Sequence, residues 1–89
     1  MKHVVKRKGH TEPYDEKKIY ASCYFACMSA NVPEQKAEKI AKDCMKKINN
    51  WMRNKEQVTA HQLYAVTVKE LKKRDKNAAF MYETHMDLS

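Results

Sequence analysis

The chain has few residues that break up regular structure. One glycine and two prolines among 89 residues argue against an all-β sandwich with its many turns. A single glycine also cannot supply a Walker loop or a dinucleotide-binding turn. The three cysteines, Cys23, Cys27 and Cys44, are an odd number without a Cys-x-x-Cys pair, so neither a disulfide framework nor a zinc ribbon is expected. The longest uncharged stretch, Ile19 to Pro33, is fifteen residues, short of the roughly 18–20 that cross a bilayer. The N-terminus returns to charge at Lys6 after two valines and has no apolar signal segment, so no membrane association and a cytoplasmic location are expected. His3, His10, His61 and His85 are scattered without zinc spacing, and no nucleophile stands with a base. No catalytic activity and no metal site are expected.

What is present favours helix. Apolar residues make up 43% and charged residues 33%, a balance suited to one small, mainly helical domain spanning 1–89. Eighteen Lys and Arg against eleven Asp and Glu give a net charge of +7. Such an excess favours polyanions, whether nucleic acid, nucleotide phosphates or anionic lipid.

Short β-forming stretches flank Gly9 and predict an N-terminal hairpin, with Pro13 confining its second strand to an edge. Asp15 is placed to cap a first helix that runs to about Ala30, its buried stripe being Ile19, Cys23, Ala26, Cys27 and Ala30. The two cysteines of that stripe, like Cys44, read as small core residues. Tyr20, Tyr24 and Phe25 fall opposite the stripe, where an apolar self-association patch is expected. Asn31 suits a left-handed stop, and Pro33 opens a second helix striped by Ala37, Ile40, Ala41, Cys44, Ile48, Trp51 and Met52. Asn49-Asn50 marks its fraying end, Trp51 reads as a core anchor, and Met28, Met45, Met52, Met81 and Met86 as core or core edge. Thr59-x-x-Gln62 has capping-box spacing, so a third helix starts there and buries Leu63, Val66, Thr67 and Leu71. A break over Asp75–Asn77 precedes a fourth helix carrying Ala78, Ala79, Met81, Tyr82 and Met86. The expected architecture is α+β, mainly α: a small β-hairpin cap over a four-helix bundle.

The most informative segment is 4–19. Lys17 and Lys18 stand in the first turn of helix 1, where the helix dipole disfavours each cation by about 0.3–1 kcal/mol. Either Asp15 and Glu16 neutralise them on a solvated face, or they join Lys6, Arg7 and Lys8 in a cradle for phosphate at the helix N-terminus.

Val4-Val5-Lys6-Arg7-Lys8-Gly9, followed by Glu12-Pro13-Tyr14-Asp15 and Lys18-Ile19, resembles the opening of the ATP-cone domain, roughly Val-x-Lys-Arg-Asp-Gly, Glu-x-Phe-Asp and Lys-Ile. The likeness extends through Ala37–Ala41, Val58-Thr59 and Ala78-Ala79-Phe80. ATP-cones are regulatory modules of ribonucleotide reductase large subunits and of the repressor of their genes. The resemblance implies a site for ATP or dATP, with Mg2+ accompanying the phosphates. In that site Val4 and Val5 would line adenine, while Lys6, Arg7 and Lys18 would reach phosphates. Glu12 would meet the base edge or orient the pocket, Asp15 would lie near base or ribose, and Ile19 would pack beneath the base. Thr59, Ala60 and Tyr64 on helix 3 and Phe80, Tyr82 and Glu83 on helix 4 complete the matching regions. Two departures stand out: Lys8 replaces the acid of the turn, and the C-terminal end lacks the usual Tyr-Arg.

With neither a zinc ribbon nor a catalytic barrel in these residues, the resemblance implies a free-standing cone. Its output would then be homo-oligomerisation or docking on a partner protein. The alternatives are a small basic helical protein that binds nucleic acid and a purely protein-binding bundle.

Overall fold

In the computed structural model, which describes residues 1–85, two valines distant in sequence share one sheet. Strand β1 (His3–Val5) lies between β2 (Thr11–Pro13) and β3 (Gln57–Thr59). The hairpin partner β2 is antiparallel, with Val4 opposite Glu12, and β3 is parallel, with Val4 opposite Val58. Pro13 therefore lies on an edge strand, as its missing N–H requires. One 3₁₀ turn, Arg7–Gly9, joins β1 to β2, and both Lys8 and Gly9 take positive φ there, 68° and 79°. Gly9 accepts that backbone freely, whereas Lys8 occupies it against its own preference.

The third strand was not expected, since the segment before Thr59 read as a linker, whereas the helix start at Thr59 is found as expected. Gln57–Thr59 carries a single apolar side chain, and its pairing partner lies at the other end of the chain, so no local pattern marks it. Thr59 serves both elements: it ends β3 and caps α3 (Ala60–Arg74). Its Oγ1 accepts from Gln62 N at 3.0 Å, and Gln62 Oε1 accepts from Thr59 N at 2.9 Å, completing the capping box.

Helix α1 (Glu16–Ser29) starts where Asp15 accepts from Lys17 N at 2.9 Å, and it buries Ile19, Cys23, Ala26 and Cys27. Asn31, at φ 62°, supplies the left-handed stop. Helix α2 (Glu34–Met52) buries Ala37, Ile40, Ala41, Cys44, Ile48 and Met52. It does not fray at Asn49-Asn50. The Asn49 amide accepts from Tyr14 Oη at 2.6 Å and donates to Glu16, tying this turn to α1. Trp51 sits at the core edge rather than inside it, with the Lys55 ammonium 4.6 Å from its ring centroid.

Helix α4 (Lys76–His85) begins directly after Asp75, because Asp75 Oδ1 accepts from Ala78 N at 2.9 Å and replaces the expected three-residue break with a cap. Met86 lies outside the described residues. Helix α1 packs on α2 and α4, and α3 packs on α4 and α2, giving a mainly helical α+β bundle under a three-stranded cap. On α3, Leu63 and Val66 are only partly buried, while Val68 and Glu70 join Thr67 and Leu71 inside. Glu70 is admitted because Arg74 and Lys73 meet its carboxylate at 3.1 and 3.2 Å. Burial pushes its pKa up, but the hydrogen bonds from Arg74 and Lys73 outweigh this and hold it below the ordinary value. All three cysteines are buried and free, as expected, and the Cys23 thiol is kept protonated by its hydrogen bond with Cys44 and by burial. Met28 is 42% exposed rather than core, since it falls on the side of α1 away from Cys23 and Cys27.

One ammonium ties the cap to the end of α2. Lys2 Nζ donates to the carbonyls of Met52 at 2.8 Å, Arg53 at 3.0 Å and Lys55 at 2.7 Å, satisfying the open C-terminal end of α2 with a cation of favourable sign. Lys2→Met keeps the stem and removes the donors. It is expected to cost about 1.5–3 kcal/mol and lower the thermal midpoint by roughly 6–24 °C; an unchanged melt would refute this role.

Candidate nucleotide site

The pleat of β1 sorts the 4–19 motif into two groups. Side chains two apart on a strand share a face, as do residues directly paired across a ladder. Val4, Lys6 and the paired Glu12 thus point to one side, toward α1 and α3. There they line a pocket of about 210 Å³ with Lys18, Ile19, Ser22, Ala60, Leu63, Tyr64 and Tyr82. Val5 points the other way and, with Lys6, Arg7 of the following turn, Thr59, Ala60 and His61, borders a second pocket of about 310 Å³ over the start of α3. The two pockets adjoin at Lys6 and Ala60. The second alone reaches the lower end of the roughly 300–1,000 Å³ usual for small-molecule sites, and the first is smaller.

Of the residues singled out from sequence, Val4, Lys6, Glu12, Lys18, Ile19, Ala60 and Tyr64 meet in the first pocket. Val5, Arg7 and Thr59 meet in the second, with Lys6 again. Asp15 borders neither, and its carboxylate caps α1. Tyr82 joins the first pocket, whereas Phe80 is 63% exposed and, like Glu83, borders neither pocket. Ser22, Leu63 and His61 were missed. Ser22 follows Lys18 and Ile19 by four and three residues on α1, so helical spacing could have found it.

The first pocket has an apolar floor and a charged mouth. Val4 and Ile19 are 4% and 7% exposed, and the Tyr64 and Tyr82 rings meet at a tilt, their centroids 5.6 Å apart. At the mouth, one Glu12 carboxylate oxygen stands 3.3 Å from Lys6 Nζ and 3.9 Å from Lys18 Nζ. Glu12 gathers two cations that would otherwise repel each other, with Ser22 beside them. The Ser22 hydroxyl donates to Lys18 O at 2.8 Å and retains acceptor capacity. Apolar walls, aromatic faces and paired ammonium groups suit a flat heterocycle carrying anionic groups. Among the described residues no group of His, Cys, Asp and Glu could hold a metal ion.

Burial pushes the Tyr82 phenol up to about 12, and burial with the nearby Glu16 and Asp15 does the same to Tyr14. Because an unfolded tyrosine ionises near 10, the native chain retains protons that the unfolded chain releases between pH 10 and 12. Stability from these groups is whole below pH 10 and is lost as pH rises through 12, on the order of 3 kcal/mol for Tyr82. Tyrosinate absorbance should show these two rings ionising last, and Tyr82→Phe should raise the pH midpoint of alkaline unfolding. An unaltered midpoint would contradict this.

A sequence model of the ATP cone domain matches residues 2–83, nearly the whole chain. No curated protein and no solved structure matches it. The family match agrees with the arrangement of a small sheet over four helices, and the chain belongs to the ATP cone family of nucleotide-binding regulatory domains.

Proposed function

We propose that this ATP cone takes ATP or dATP as an effector and, without catalysing a reaction on it, controls the assembly or activity of a protein partner or of further copies of itself in the cytoplasm. The observation that carries this reading is the gathering of motif residues, from β1, the turn after it, β2, α1, the end of β3 and the start of α3, around two pockets that share Lys6 and Ala60. In it the base lies on Val4 and Ile19 against Tyr64, and the phosphates run to Lys6, Lys18 and Arg7, with Mg2+ as their counter-ion. Thr59 adds a hydroxyl at the start of α3. Asp15 acts on the ligand through α1, whose first turn it holds in place beside Lys18. The family relation makes a ribonucleotide reductase-type system the natural recipient of the signal.

Ligand binding at the cap can reach a partner only if the two states of the chain differ in affinity for that partner. Calorimetric titration with ATP, dATP and GTP tests the ligand, and size exclusion of the apo, ATP- and dATP-loaded protein tests the output. The expected result is binding of adenine nucleotides in preference to GTP and a nucleotide-dependent elution volume. Lys18→Ala should weaken ATP binding by about 3- to 10-fold, since this ammonium is largely exposed and its contribution is screened. Equal heats for ATP and GTP would remove adenine selectivity, and superimposed elution profiles would remove the assembly role.

A further inference from the structure

The two motif pockets draw their cations from the sheet end of the molecule. A second basic surface lies at the far end of α3 and shares no residue with them. Asp43, Lys46, Lys47 and Asn50 of α2, Arg53 just past its end, and Arg74 at the end of α3 border an open depression of about 500 Å³. Four cations face a single carboxylate there. Lys39 and Lys42 extend the same side of α2 in an adjoining groove that shares Asp43 and Lys46.

Two of these cations, Arg74 and Lys39, are held by carboxylates, and among the described residues the others are not. The Arg74 guanidinium is anchored by Glu70, whose carbonyl and carboxylate accept at 2.7 and 3.1 Å. Asp43 is engaged by Lys39 at 3.9 Å. Lys42, Lys46, Lys47 and Arg53 are exposed, and none forms an ion pair among the described residues. Lys39, Lys42, Lys46, Asn50 and Arg53 recur at intervals of three and four, a row along one side of α2 that covers about 21 Å at the helical rise. Like charges at this spacing repel, and an extended anion laid along the row relieves that repulsion.

The surroundings choose among the anions. The large exposed apolar side chains of the described residues are Met1, Phe25, Met28 and Phe80, and none belongs to α2 or α3. A docking peptide needs buried anchor side chains, and a helix lying on a bilayer needs an apolar face to insert. A sugar-phosphate backbone needs neither, because counterion release supplies the affinity. We propose that the basic side of α2, completed by Arg53 and Arg74, binds the phosphodiester backbone of nucleic acid without sequence preference, at a site separate from the nucleotide pockets.

Fluorescence anisotropy with a labelled 20-base-pair DNA duplex, and with a single-stranded RNA of the same length, tests this. Four phosphate contacts imply that duplex affinity falls roughly 100-fold between 50 and 200 mM salt. Lys46→Glu combined with Arg53→Glu should weaken binding at least about 30-fold at fixed salt and reduce the salt slope by about two. Both side chains are exposed, and an unchanged thermal melt will show that the variant folds. Lys6→Ala combined with Lys18→Ala should leave oligonucleotide binding intact, so the result stands whether or not ATP binds. Preference for either probe supports the surface and identifies its source. Absence of binding at 50 mM salt, equal binding by the charge-reversed variant, or loss of binding only in the Lys6 and Lys18 variant overturns it.

Discussion

Lys6→Ala is expected to weaken ATP and dATP binding by about 10- to 100-fold, more than Lys18→Ala does. Both ammonium groups approach the same Glu12 oxygen, so the mouth of the pocket would read as two interchangeable cations. Their settings differ. The Lys6 side chain is 35% exposed against 66% for Lys18, and Lys6 alone of the two borders both pockets. A less hydrated charge interacts more strongly with a phosphate, and a charged hydrogen bond is worth about 1.5–3 kcal/mol, which at 1.4 kcal/mol per decade gives the stated range. Glu12 sharpens the comparison. In the unliganded chain it engages both lysines, so a triphosphate must draw them away from a carboxylate. Glu12→Gln removes that competitor while Lys6→Ala removes the phosphate's partner. Calorimetry on the two variants should therefore show opposite changes in phosphate-dependent affinity, measured as the difference between ATP and adenosine. If Lys6→Ala binds ATP as the wild type does, the phosphates lie elsewhere.

How much of this site could be read from the chain follows from how local each signal is. Helical stripes on α1 and α2 repeat within a few residues, and Ile19, Cys23, Cys44 and Ile48 declare their buried side directly. The capping box at Thr59 is equally local. Strand β3 was missed because its signal is one valine, Val58, whose reason for being buried is Val4 on the neighbouring strand. Glu70 was missed because a carboxylate reads as surface: its partners Lys73 and Arg74 stand three and four residues on along the same helix, but that this turn of α3 faces the bundle is set by packing between helices. Of the site residues, Val4, Lys6, Glu12, Lys18 and Ile19 came from one contiguous motif. That Val4 and Glu12 share the first pocket while Val5 borders the second is, by contrast, set by the pleat and by the register of Val4 with Glu12. Asp15 caps α1, as its place just before the first helical stripe predicts, and it borders neither pocket.

Ile48→Ala is expected to bring the domain close to its unfolding threshold. Ile48 has no solvent exposure and is among the largest fully buried side chains, on the α2 stripe that faces the core. Truncation removes three carbons from a close-packed interior and leaves a cavity, at a cost of about 4 kcal/mol, against a total stability of about 5–15 kcal/mol for a domain of this kind. The thermal midpoint should fall by roughly 15–30 °C, whereas Ile48→Val should cost only about 1 kcal/mol. Phe25→Ala, at a side chain 62% exposed, should stay within about 0.5 kcal/mol, so the effect is one of burial and not of size. The same variant reports on the ligand. Ile48 borders neither pocket, so ATP at a hundred times its dissociation constant should restore about 2.7 kcal/mol to the variant and add the same to the wild type. Melts of both proteins with and without ATP separate the two contributions. A midpoint in Ile48→Ala that falls by only a few degrees would mean that the α2 stripe is not the spine of the core. A normal fall that ATP does not reverse would mean that the cap takes no adenine nucleotide.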